Sequence, residues 1–248
     1  VPDAALRPTL FEDRDRVVAG FTTRHGGVSA APYASFNLGL HTEDDPAAVR
    51  ENRRRLAGLF GLEPDRLATA GQVHGTTVSV VDAPGHVPDC DGLVAATPNV
   101  LLCISAADCA AVLLADLEAY VVGACHAGWR GAAGGIVATT IARMVSLGAQ
   151  PARVYAYVSP CISAERFEVG PEVAARFDDA VTHHPPGTDK PHVDLKAAIV
   201  RQLTGAGVSA PHIEVSPHCT MTETDTFFSH RGEQGTTGRM MGCIGLRT

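Results

Sequence analysis

Apolar positions along this chain follow two patterns, short unbroken runs and longer stretches spaced at helical intervals. Tyr120-Val121-Val122-Gly123-Ala124-Cys125 is a run of the first kind. It is short, continuously apolar and rich in small or β-branched residues, which predicts a strand buried on both faces. His126 then falls at the strand's exit, and Gly128, Gly131, Gly134 and Gly135 mark a glycine-rich turn. Beyond the turn, Ile136, Val137, Thr140, Ile141, Met144 and Val145 recur at helical spacing, with Gly148 just past the helix end. A strand, a glycine turn and a helix N-terminus can form an anion site, because free backbone N–H groups point outward there. Arg130 would add a fixed positive charge to it.

The same reading places a first strand at 17–23, followed by a turn at Gly26-Gly27, and a helix that starts with Asp45 as N-cap and Pro46 at its first position and closes at Gly61. On this helix Val49, Leu56 and Phe60 form the apolar face. Arg53 falls in the same arc, while Arg50, Arg54 and Arg55 point elsewhere. A buried, unpaired charge is too costly, so Arg53 needs an internal carboxylate, a snorkelling stem or a ligand anion. Further strands are predicted at 77–81, 91–95, 100–104, 112–114, 154–158 and 213–215, and helices at 171–177 and from the Asp194 cap through Leu203. His183-His184-Pro185-Pro186-Gly187 reads as a surface loop, and the segment after Phe227-Phe228-Ser229 as a glycine-rich stretch ending in Ile244-Gly245-Leu246. The expected class is α/β (α+β): a single compact domain over residues 1–248, with mixed β-sheets flanked by helices.

Composition narrows the function classes. A hydrophobic content of 45% over 248 residues supports a sizeable core. A formal charge of −7 without a basic stripe argues against nucleic acid as a partner. No apolar run is long enough to cross a bilayer, and Val1-Pro2-Asp3-Ala4-Ala5-Leu6-Arg7 lacks the apolar segment of a signal peptide, so a soluble, cytoplasmic chain is expected. Seven cysteines is an odd count, and Cys103, Cys125 and Cys161 lie in or beside apolar stretches as reduced core thiols do, which argues against a disulfide framework.

His74, Cys109 and His126 share a context: each sits where an apolar strand starts, breaks or ends. One cysteine and two histidines meet the ligand count of a catalytic zinc site with one open position, and this donor set suits zinc better than magnesium or calcium. Their spacings of 35 and 17 residues match no recognised metal signature. A buried thiol with two hydrogen-bonded imidazoles, or a metal-free Cys109–His126 nucleophilic pair, fits the same residues. His183-His184 is a further, solvent-facing pair.

Asn37-Leu38-Gly39, Asp44-Asp45-Pro46 with Asn52-Arg53, Gln72-Val73-His74-Gly75, Asp91-Gly92-Leu93-Val94, Ala107-Asp108-Cys109, His126-Ala127-Gly128-Trp129-Arg130-Gly131, Glu168-Val169-Gly170 and Phe227-Phe228-Ser229 together resemble the laccase-domain family. That family is also called polyphenol oxidase-like, peptidoglycan editing factor or multifunctional purine nucleoside phosphorylase. The resemblance runs in order from about Phe21 to near the C-terminus. It implies that His74, Cys109 and His126 bind catalytic zinc, with copper fitting less well. It also implies phosphorolysis of adenosine, guanosine, inosine and methylthioadenosine to base and sugar 1-phosphate, with adenosine deaminase as a second activity, by a monomer or small homo-oligomer. Asn37, Arg53 and Gln72 match positions expected near substrate or phosphate, alongside Arg130. The chain departs from the family pattern at Ala106, where threonine is frequent, and at Ala111, where proline is. Multicopper oxidation demands many ligands, commonly in His-x-His pairs, and none of the 11 histidines is so spaced. The alternatives are a Cys–His amidase or editing hydrolase acting on peptidoglycan precursors, polyphenol oxidase (laccase) activity, and a non-enzymatic small-molecule or partner-binding protein with a structural metal.

Overall fold

The structure is a computed structural model describing residues 3–248 except 13 and 15. Two six-stranded mixed sheets dominate it. The first runs, edge to edge, Ala5–Leu6, Val17–Thr22, Met240–Leu246, Leu101–Ala106, Leu67–Ala70 and Gly85–Val87. The second runs Ile213–Val215, Val154–Val158, Ala110–Asp116, Val121–Ala127, Gly92–Ala95 and Val78–Val80. Helix Pro46–Leu59 covers the outer face of the first sheet, and helices Ile136–Val145 and Leu195–Gly205 cover that of the second, giving the expected mixed α/β architecture.

The period of two along each strand builds these layers. Ala111, Leu113 and Ala115 point into the core between the sheets, while Val112 and Leu114 point toward the helices of the second sheet. Leu102 and Ile104 likewise face the inter-sheet core, and Leu101 and Cys103 pack under the Pro46–Leu59 helix with Leu56 and Phe60. Strands buried on both faces read as unbroken apolar runs for this reason. No helix among the described residues is long and apolar enough to cross a membrane.

Four sequence expectations are corrected. The strand Val121–Ala127 runs past His126, so this residue lies inside the strand rather than at its exit. The helix after it is two helices, Trp129–Gly134 and Ile136–Val145. They are parted at Gly135, whose φ of 85° ends the first with N–H donation to Ala132 and Gly131 carbonyls. The helix expected over 171–177 stops at Ala174. The segment at 240–246, read only as part of a glycine-rich stretch with no strand assigned, is a seven-residue strand pairing with both Val17–Thr22 and Leu101–Ala106. Its glycines answer a steric demand. A Cβ on Gly242 would lie 2.6 Å from the Ala111 Cβ of the facing sheet, and one on Gly245 would lie 2.7 Å from the Val100 carbonyl oxygen.

Candidate active site

Cys109 sits where the chain crosses between sheets, in the break that separates Leu101–Ala106 from Ala110–Asp116. The crossing is pinned by Asp108, whose carboxylate accepts from Thr220 Oγ1 at 2.6 Å and from the Arg231 N–H at 2.8 Å. His126 is carried by the adjacent strand, opposite Ala111. His74 lies in an exposed loop with a φ of 61°, a left-handed conformation uncommon for a non-glycine residue. That loop is held by the fully buried Asp91, which accepts the N–H groups of Val73, His74 and Gly75 at 3.1, 3.0 and 2.7 Å. The same carboxylate bonds His126 Nδ1 at 2.8 Å. One buried anion therefore sets two of the three side chains. Sequence reasoning read Asp91 only as a strand start, and the available signal was a carboxylate opening an otherwise apolar run.

The donor atoms of His74, Cys109 and His126 all lie within 4.8 Å of one another. Three points so spaced have a common point no more than about 2.8 Å from each, at most about 0.5–0.8 Å beyond Zn–S and Zn–N bond lengths of about 2.0–2.3 Å. The imidazoles of His74 and His126 meet edge to face, with centroids 4.8 Å apart. Gly128 leaves room beside them: a Cβ there would lie 2.9 Å from Cys109 Sγ and 3.4 Å from His126 Nε2. Burial pushes the Cys109 thiol up, but hydrogen bonds and charge from His126 and His74 outweigh it and bring it down to about 6. Burial pushes the His126 imidazole down, and Asp91 and Cys109 overcome this and raise it to about 9. Without a metal the pair is thus thiolate and imidazolium, and a bound cation would take the place of the imidazolium proton. A soft thiolate, two imidazoles and a carboxylate fixing one ring through Nδ1 form a donor set that fits zinc.

These three side chains line a cavity of about 540 Å³ together with Arg53, Gln72, Arg239 and three further histidines, His41, His86 and His230. Among the described residues, no aspartate or glutamate lines it. Arg53 points inward as its helical arc requires: its Nε donates to the Leu38 carbonyl at 2.9 Å, and no carboxylate of the described residues pairs with it. Burial pushes its pKa down. Of the partners weighed for Arg53, the internal carboxylate is excluded.

The other expected contacts resolve differently. Gln72 lines the cavity, but its amide is taken up by the Ser105 backbone, donating from Nε2 and accepting at Oε1, each at 2.8 Å. Asn37 is fully buried outside the cavity lining, bonded through Nδ2 to Thr42 and Asp44 and through Oδ1 to the N–H groups of Gly39 and Arg239. Arg130 is exposed and lies over the Trp129 ring at 4.2 Å, outside the cavity. No residue of the 128–135 turn lines the cavity either. The anion site expected there is corrected, because the turn's glycines serve close packing. His183 and His184 are exposed and belong to no three-ligand group among the described residues. A separate groove of about 600 Å³ beside Arg176, Arg201 and Gln202 contains none of these groups. Sequence reasoning missed Arg239 and His230, which follow the Phe-Phe-Ser segment.

Residues 18–247 match the family described as multi-copper polyphenol oxidoreductase laccase. The chain is 49% identical to the purine nucleoside phosphorylase of Deinococcus radiodurans over 96% of this chain and 93% of that one. It is 44% identical to a purine nucleoside phosphorylase of Corynebacterium glutamicum, covering 91% and 93%. Its fold superimposes on the crystal structure of YlmD from Geobacillus stearothermophilus with a TM-score of 0.91 at 36% identity, covering 100% of this chain and 98% of that one.

Proposed function

We propose that this chain, which belongs to the family described as multi-copper polyphenol oxidoreductase laccase, is a zinc-dependent purine nucleoside phosphorylase. The observation that carries the reading is the meeting of two groups in one cavity: a His74, Cys109 and His126 donor set, and an Arg53 guanidinium with no acidic partner among the described residues. The names of relatives at up to 49% identity support it. In the reaction a phosphate oxygen bonds to the sugar C1′, the C1′–N bond breaks, and its electron pair leaves with the purine. Arg53 holds the phosphate and offsets its charge as it attacks. His74, Cys109 and His126 would hold the zinc, which when bound would supply a Lewis acid for the purine side and lower the pKa of water. Asp91 keeps His126 in the tautomer whose Nε2 faces Cys109. Adenosine, guanosine, inosine and methylthioadenosine are the proposed substrates, and replacement of the adenine amino group by water is the proposed second activity. The copper chemistry in the family's description has little support here, since the described residues offer one group of three ligands, too few for a cluster.

The test is metal analysis followed by adenosine turnover with and without phosphate. Adenine and ribose 1-phosphate in proportion to phosphate, with about one zinc per chain, support the reading. A zinc-loaded protein inert toward all four nucleosides overturns it. A second reading rests on one specific arrangement, Cys109, His126 and Asp91 in the order nucleophile, base and orienting carboxylate. Phosphate-independent cleavage of an amide in a peptidoglycan precursor, surviving chelation, would favour that hydrolase.

A further inference from the structure

Arg239 enters the cavity from the opposite end of the chain to Arg53, immediately before the strand Met240–Leu246. Its Nη1 donates to the carbonyls of Thr237 and Gly238, both at 2.9 Å, and no described residue accepts from its Nε or Nη2. Two partly buried guanidiniums thus line one cavity in which no described residue contributes a carboxylate. The opposite charges acting on Arg239 are Asp108 and the Cys109 thiolate; with that thiolate committed to a bound metal, two like charges in a half-buried space repel each other and lose hydration, which favours an added anion.

The segment Asn37-Leu38-Gly39 addresses both arginines, residue by residue. Asn37 Oδ1 accepts the Arg239 N–H at 2.9 Å. The Leu38 N–H donates to the Arg239 carbonyl at 3.0 Å, while the Leu38 carbonyl accepts from Arg53 Nε at 2.9 Å. Gly39 makes way for the arginine stem, since a Cβ there would lie 2.8 Å from Arg239 Cγ. From the helix side, the buried Asn52 donates to the Asn37 carbonyl at 2.8 Å and fixes the same segment.

We infer that Arg239 and Arg53 are the two arms of a clamp for a phosphoryl oxyanion, and that Asn37-Leu38-Gly39 is the frame holding one arm relative to the other. The inference deepens the phosphorylase reading and rests on it for the identity of the anion, inorganic phosphate. Two forked guanidiniums provide parallel N–H groups for a tetrahedral dianion, and the frame fixes them before it arrives. Arg239 binds phosphate directly; Asn37 and Gly39 act as positioning residues.

The experiment is calorimetric titration of the zinc-loaded protein with inorganic phosphate and, in parallel, with inosine 5′-monophosphate, alongside KM for phosphate and for nucleoside. Arg239→Ala and Arg53→Ala should each weaken phosphate by about 10- to 100-fold while nucleoside KM changes little. Arg239→Lys, which keeps charge and stem but loses the fork, should fall between. Gly39→Ala should raise phosphate KM with zinc content unchanged, a split that general damage to the fold would not produce. Phosphate KM untouched in both Arg239 variants, in a protein whose turnover still needs phosphate, overturns the clamp and leaves the phosphorylase intact. No phosphate binding and no phosphate-dependent turnover in the unaltered protein overturns the phosphorylase reading itself. Tight binding of the monophosphate with no effect of inorganic phosphate overturns the assignment of the anion.

Discussion

Asn37-Leu38-Gly39 and the 128–135 turn are both short, glycine-bearing segments beside the same cluster of active side chains, and they are built for opposite purposes. In the turn, two backbone donors are satisfied within the segment: the Ala132 N–H bonds the Gly128 carbonyl and the Gly135 N–H bonds that of Ala132. Its glycines admit neighbours, Cys109 Sγ at Gly128 and the carbonyls of His126 and Gly75 at Gly131. In the 37–39 segment, the carbonyl and amide groups face outward and hold two arginines. The turn looks like an anion cradle and works as clearance; the other looks like an ordinary loop and works as a mount. A glycine reports that something comes close, and only the identity of what comes close says what the segment is for.

Substitutions can break or sharpen that contrast. Gly128→Ala should act most strongly, since its methyl group would displace the Cys109 thiolate: zinc content should drop and turnover fall by about 10²-fold or more, as misplaced reacting groups do. Full zinc occupancy in this variant would remove the clearance role. Arg53→Ala should slow sugar 1-phosphate formation by roughly 10²-fold, about 3 kcal/mol, while sparing inosine formation more, read by resolving adenine from inosine across a phosphate titration. Equal loss of both products would move Arg53 from the anion to the nucleoside or the fold.

Asp116 provides a control outside both segments. Fully buried, it accepts N–H groups from Glu118, Ala119 and Gln150 and pairs with Arg153. Burial pushes its carboxyl up, but these donors outweigh it and hold it below the usual range. A depressed carboxylate contributes stability above its unfolded pKa, and that contribution is lost as pH falls through the lower folded value. Asp116→Asn should cost about 2 kcal/mol at neutral pH and flatten the acid limb of the unfolding-midpoint curve, leaving phosphate KM alone. An unchanged acid limb would show that Asp116 is not the linked group. Arg130→Ala should have the smallest effect, within about twofold in turnover, because this side chain is exposed on Trp129. A large rise in phosphate KM would restore the turn as an anion site.

What the chain disclosed beforehand depended on whether a residue's neighbours in sequence were also its neighbours in space. His74, Cys109 and His126 stood out because each interrupts apolar sequence, and Arg53 because a helix fixes direction from spacing alone. The Asp45 cap held for the same local reason, accepting the Ala47 N–H at 2.8 Å. Asp91 stayed hidden because its partners lie in a loop 16–18 residues earlier and on a strand 35 residues later. Arg239 stayed hidden because the strand after it carries glycines for sheet-to-sheet contact, which local pattern reads only as a glycine-rich stretch. Asn37 was expected at the ligand and is instead one bond removed, acting through Arg239.

The strand Met240–Leu246 also has a consequence in time. It fills the gap between Val17–Thr22 and Leu101–Ala106, so a ribosome that has finished residue 106 has made two strands that must wait, edges open, for the partner between them. At roughly 5–20 residues per second that wait is on the order of ten seconds, long enough for exposed edges to meet other chains. His74 has been synthesised before it starts, and Cys109 and His126 follow early in it, whereas Arg239 emerges with the closing strand. The candidate ligand group therefore precedes the second arginine during synthesis, and a chain stopped short of residue 239 would carry His74, Cys109 and His126 without Arg239.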